Sequence, residues 1–293
     1  MSDNRRNLTL VAAGVLLAVL TALCAFDLSS LPYFASSAQA QNVDVASNDD
    51  SAAVAAEEVV SGEAVPLVAD ALRRILSYSS IEARMEYATK TPVTNGAGRY
   101  WEQGPLLRRM ELKLRGVEDS LLLQVNDGKT LWTRCETPRE TVTDSIRYQL
   151  PLRSPQLYLG KLGLAGLLTR LQEDYDLAVV GSGNLAGEQV IVVKGALNKD
   201  ALTRMLPKRE EEIRSGEFST WSELRTGVPV SMLIAFGATD AVPRRIQYRA
   251  VRDGATLRDW RQWETQETLT IDLREVLLNR PIAPTVFTHS EGW

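Results

Sequence analysis

The chain has 293 residues, 44% hydrophobic and 24% charged, with a formal net charge of −4. This is ordinary globular composition. Nothing in the charge demands a nucleic-acid partner, which would call for a strongly basic surface.

In chain order, Arg5 and Arg6 precede an uncharged apolar run over 8–26, and Pro32 would break any helix that continued. The stretch SSAQA ends at Ala40 and offers an A-x-A processing site. Residues 1–40 therefore read as a secretory signal, with an uncleaved membrane anchor as the alternative because the run is just long enough to span a bilayer. Leu23 occupies the place where a lipoprotein signal needs a small residue before Cys24, so lipidation is not expected. Residues 41–64 carry six acids (Asp44, Asp49, Asp50, Glu57, Glu58, Glu63), no Lys or Arg and no aromatic residue. That composition predicts a disordered, solvated tether. Once the signal is removed, Cys135 is the one cysteine left, so no internal disulfide is expected.

The folded body is expected over 65–293. It opens with an amphipathic helix over 65–79, whose stripe is Val65, Val68, Leu72, Ile75 and Leu76. Alternation follows. IEARMEYATK sends Ile81, Ala83, Met85 and Tyr87 one way. LRRMELKLRG sets Met110, Leu112 and Leu114 against Arg109, Glu111 and Lys113. DSLLLQV sets Leu121, Leu123 and Val125 against Leu122 and Gln124, and a turn at Asp127–Gly128 starts the next strand. Period-two patterns with turns between them predict an antiparallel, half-buried meander. Residues 154–172 break this rhythm and read as a helix interrupted by Gly160, Gly163 and Gly166. Strands resume at 176, a charged and partly helical stretch follows at 199–227, and further alternation runs through 228–236, 246–250 and 256–273.

The segment DLAVVGSGNLAGEQVIVVKG contains a G-x-G-x-x-A match at Gly181, Gly183 and Ala186, with Asp200 at about the distance of a ribose-binding acid. A dinucleotide site needs those glycines to open a helix. Here a β-branched strand begins within a few residues, and a parallel crossover does not fit in the gap. The segment reads as a hairpin, so no cofactor is expected. His289 is the single histidine, which leaves no metal-ligand motif and no Ser/His/acid arrangement. The acids sit mostly on the polar phase of strands, and no residue argues for catalysis. Trp101, Trp132, Trp260 and Trp263 fall in strand-like segments, where sheet packing is the ordinary explanation.

Several phrases, in order, resemble the LolA/LppX-like family of exported lipid and lipoprotein carriers. They are the opening helix followed by IEARMEYATK, the strand VNDGKTLWTRCE, the hairpin YDLAVVGSGNLAGEQVIVVKG and the ending LLNRPIAPTVFTHSEGW. Segment 199–227 looks like an insertion relative to that pattern, and no residue here is assigned as the family's cavity arginine. The resemblance implies an α+β fold: a curved, incompletely closed antiparallel β-sheet (a half-barrel) with helices covering its concave face. It also implies a non-enzymatic carrier that takes a lipid or lipoprotein acyl chain, monomeric, in the periplasm or cell envelope, with membrane-bound loading or accepting partners. On that reading Met85, Tyr87, Met110, Leu112, Leu121 and Leu123 face the concavity, and the helix carrying Leu157, Leu164 and Leu168 is a lid. The alternative is an envelope sensor or protein-interaction domain on the same scaffold.

Overall fold

The computed structural model describes residues 64–90, 93–115, 119–139, 141–147, 159–224, 228–251, 254–257 and 265–289. Residues 1–63 of the expected signal and tether, Leu157, Trp260 and Trp263 lie outside these residues, whereas Ala64, expected to end the tether, is buried as the first residue of a helix.

Among the described residues the chain forms eleven antiparallel strands: β1 (Ile81–Lys90), β2 (Val93–Gln103), β3 (Leu107–Arg115), β4 (Ser120–Asp127), β5 (Thr130–Glu136), β6 (Thr141–Arg147), β7 (Tyr175–Leu185), β8 (Glu188–Leu197), β9 (Ser231–Gly237), β10 (Pro243–Ala250) and β11 (Gln266–Leu278). They form one sheet in the order β6-β5-β4-β3-β2-β1-β11-β10-β9-β8-β7. The chain therefore meanders from the centre to one edge, crosses over, and meanders back from the other edge until β11 pairs with β1. The sheet is curved and not closed into a barrel. Bulges in β7, β10 and β11 contribute to the bend, since an extra residue on one strand increases its local twist.

The hairpin reading of 176–195 holds. β7 and β8 are joined by Ala186 and Gly187, both at positive φ (52° and 87°), and the Asn184 side chain accepts from the Gly187 N–H at 2.8 Å. Two successive positive φ values give the primed turn that matches strand twist. At Asp127 one carboxylate oxygen accepts from the Lys129 and Thr130 N–H groups, closing the β4–β5 turn.

Helices cover one face of the sheet. The helix α1 (Ala64–Ser77) packs on α2 (Leu159–Asp174), and both touch β7. The buried stripe of α1 is Ala64, Val68, Ala71 and Ile75. Val65 and Leu76, expected on it, are more than half exposed. The expected stripe favoured larger side chains and passed over the small Ala64 and Ala71, both fully buried. Between β8 and β9 lie α3 (Lys199–Met205) and α4 (Glu210–Ser215). The Asn198 side chain caps α3 by accepting from the Ala201 N–H at 2.7 Å, and α4 ends on Gly216 at φ 84°. Leu202, Ile213 and Phe218 from this segment are fully buried in the same core as the sheet. Phe218 meets Trp221 edge-on, and the Trp221 indole donates to the Ala255 carbonyl at 2.6 Å.

The opposite, outer face is crossed by the chain after β11. The Ser80 carbonyl accepts from the Asn279 N–H, the Arg109 guanidinium donates to the Val286 carbonyl, Phe287 is buried, and His289 stacks on Trp132 at 4.2 Å. His289, the single histidine, is thus held against the sheet.

Candidate functional site

Residues paired across an antiparallel ladder share a face. Starting from Ala83 and Met85 on β1, the pairing runs through Tyr100 on β2 and Met110 and Leu112 on β3 to Leu122 on β4. In the other direction it runs through Leu273, Ile271 and Ile246 to Ile234 and Val193. This face is the one under the helices, and these residues are buried in one cluster with Leu164 and Leu168 of α2. Met85, Met110 and Leu112 lie on it, and Tyr87 lies on it half-buried. Burial pushes the Tyr87 hydroxyl up to about 12.

Leu121 and Leu123 do not join them. Their partners are Lys113 and Glu111, so both leucines point to the outer face. There Leu123 is buried, on a strand in contact with the turn Pro284–Phe287. The inner positions of β4 belong to Leu122 and Gln124. Three leucines in succession make both phases of the strand apolar, and a one-residue slip moves every side chain to the other face.

The sequence reading also missed a buried polar cluster on the covered face. Glu102 ends the inner phase of β2, and Arg108 begins that of β3 directly opposite it. Both side chains are 4% exposed, and Arg108 Nε lies 3.5 Å from Glu102 Oε1. Glu102 Oε2 accepts from the Tyr100 hydroxyl at 2.7 Å and from the Leu164 N–H of α2 at 3.1 Å. Arg108 also donates to the Pro105 carbonyl. Burial raises the Glu102 carboxyl above the ordinary glutamate value, although Arg108, Tyr100 and the Leu164 N–H all pull the other way. The Tyr100 hydroxyl is raised well above its usual range by burial and then by the neighbouring carboxylate. Asn126, opposite Arg108 on β4, and Gln124, bonded to Thr133, continue the buried polar row. One signal was available: Arg108 is in phase with Met110 and Leu112, a charge on the apolar side of an otherwise clean alternation.

Above this cluster α2 is broken. Gly163 sits at φ 67° and ψ −174°, backbone that an L side chain rarely adopts, and a Cβ there would collide with Arg108 and Glu102.

A separate hollow of about 280 Å³ opens around Glu86, Ala88, Asn95, Ala97, Thr270 and Asp272. Its acids are already paired, Asp272 with Arg245 at 2.6 Å and Glu86 with Arg274 at 3.0 Å. Among the described residues no group of three or more His, Cys, Asp or Glu could hold a metal ion.

No family model and no curated protein matches the chain. Solved structures do. Lipoprotein LppX of Mycobacterium tuberculosis is 10% identical, with a TM-score of 0.32, over 75% of this chain and 96% of that one. LprF of Mycobacterium bovis is 14% identical, with a TM-score of 0.39, over 75% and 95%. The MucA/MucB complex of Pseudomonas aeruginosa gives 10% identity and a TM-score of 0.39 over 78% of this chain, which spans 61% of the matched one. Structures of the LppX kind, which the sequence phrases resemble, are thus among those that match. Likeness this distant assigns no activity.

Proposed function

We propose that the protein is an exported, non-enzymatic carrier that takes a lipid or lipoprotein acyl chain between its curved sheet and the helices above it. The observation that carries this reading is the covered face itself. It is a largely apolar surface on an open sheet, interrupted by the Glu102–Arg108 cluster and roofed by helices, one of them broken at a glycine. Moving one CH₂ from water to such a surface is worth roughly 0.8 kcal/mol, so a long acyl chain gains enough to be held across an aqueous compartment. Residues 1–40 would supply the export signal or anchor and 41–64 the tether. The carrier would work as a monomer that meets membrane-bound loading and accepting partners.

One observation favours a second reading. Met85, Leu112, Leu164 and Leu168 already lie buried in contact within one apolar cluster. If that contact never opens, the domain is a sensor or protein-interaction module.

Native mass spectrometry of protein purified without detergent, before and after organic extraction, separates the two. A stoichiometric lipid that leaves on extraction supports the carrier and names its cargo class. An apo mass together with no uptake of fluorescent fatty acid supports the interaction module.

A further inference from the structure

We infer that α2 is two helices joined by a hinge at Gly163, and that Glu102 pins only the second of them to the sheet. The N-terminal N–H groups of a helix have no partner within it, and a carboxylate there also meets the positive end of the helix dipole. Leu164 is the first residue after the break, and its N–H is satisfied by Glu102 Oε2, a carboxylate on β2 and not on the helix itself. The pin is held in turn. The Tyr100 hydroxyl bonds the same oxygen, and Arg108 lies beside the other. Gly163 is the one residue type that fits between this cluster and the helix, because a side chain there would strike both Arg108 and Glu102.

Residues 164–174 are therefore fixed at both ends. Their start is bonded to Glu102, and at their far end the Asp174 carbonyl accepts from the Asn198 N–H at 2.9 Å. Leu164, Leu167, Leu168 and Leu171 are almost fully buried along this half. The other half, 159–162, is one turn long and buries Leu159. A rotation at Gly163 alone would lift residues 159–162 off the sheet and leave 164–174 in place. The broken helix then opens at one end, not as a whole, and access to the covered face is gained over β3 and β4, next to the Glu102–Arg108 cluster. This deepens the carrier reading, for which the short half would be the gate, but its test needs no lipid, so the two can fail separately.

Thiol labelling under native conditions tests it, in the full chain with Cys24→Ser and Cys135→Ala as background. Leu159→Cys and Leu168→Cys replace leucines of nearly equal burial on the two sides of the hinge. Labelling at position 159 is expected to be at least tenfold faster than at position 168; equal rates would mean that the helix opens as one unit and would overturn the hinge. Adding Glu102→Leu with Arg108→Leu removes the pin without stranding a buried charge. It should raise labelling at 168 severalfold and leave 159 unchanged, and an unchanged rate at 168 would overturn the pin. Should that double variant not fold, Tyr100→Phe removes only the hydroxyl that steadies the carboxylate, and the same comparison applies with a smaller expected rise.

Discussion

The two wings of the sheet are built differently on the same covered face. In the wing from β7 to β10 that face is mainly apolar: Val193, Ile234, Phe236 and Ile246 lie beneath it with the tyrosines Tyr175 and Tyr248, and the segment carrying α3 and α4 adds Leu202, Ile213 and Phe218. In the wing from β2 to β5 the same face carries Tyr100, Glu102, Arg108, Gln124 and Asn126, all buried. Apolar contacts are non-directional, whereas a buried ion pair is satisfied only in a narrow range of geometries. The first wing is thus suited to holding the domain together, and the second to holding one helix end in one place.

The largest effect should come from breaking the ion pair on one side. Arg108→Met leaves Glu102 buried without its cation and should cost about 3–5 kcal/mol in urea unfolding, most of which the further change Glu102→Leu should return. If the double variant stays as unstable as the single one, the polar wing packs in a way this contrast does not describe. In the apolar wing Phe218→Ala should cost about 3–5 kcal/mol, with no second change able to restore it short of refilling the volume.

The assignment of faces on β4 gives a finer test. Leu112→Ala, on the covered face, should cost about 2–5 kcal/mol. Leu123→Ala lies under the C-terminal turn, so its effect should be non-additive with that of Phe287→Ala and additive with that of Leu112→Ala. Additivity with Phe287→Ala would place Leu123 elsewhere.

A pH dependence separates the wings further. Because the folded state raises the Glu102 carboxyl, its contribution to stability is fullest below the ordinary value of 4.5 and falls as pH rises through the folded value. The Glu102→Leu, Arg108→Leu variant lacks that loss, so its stability relative to the unmodified protein should improve as pH increases from 4.5 toward neutrality. Parallel curves would show that Glu102 is not held above its usual value. The smallest expected effect is at the outer face, where His289→Ala should cost roughly 0.5–1.5 kcal/mol through loss of the stack on Trp132.

Alternation by itself marked strands such as β1, β3 and β5, because a strand half-buried in a meander must repeat every two residues. The same logic rejected the dinucleotide motif: QVIVV so soon after Gly183 left no room for a helix. The turn at Asp127–Gly128 was legible for an equally local reason. Where both phases are apolar, as in Leu121–Leu122–Leu123, the local pattern is silent, and only pairing with Lys113, Leu112 and Glu111 decides which leucine faces the helices. The stripe of α1 was settled by what it packs against, which favoured Ala64 and Ala71 over the larger Val65 and Leu76. Tertiary structure alone brought Glu102 and Arg108 to the break at Gly163. Gly163 lies more than fifty residues away in the chain, and no periodicity along a strand records which helix end will need its carboxylate.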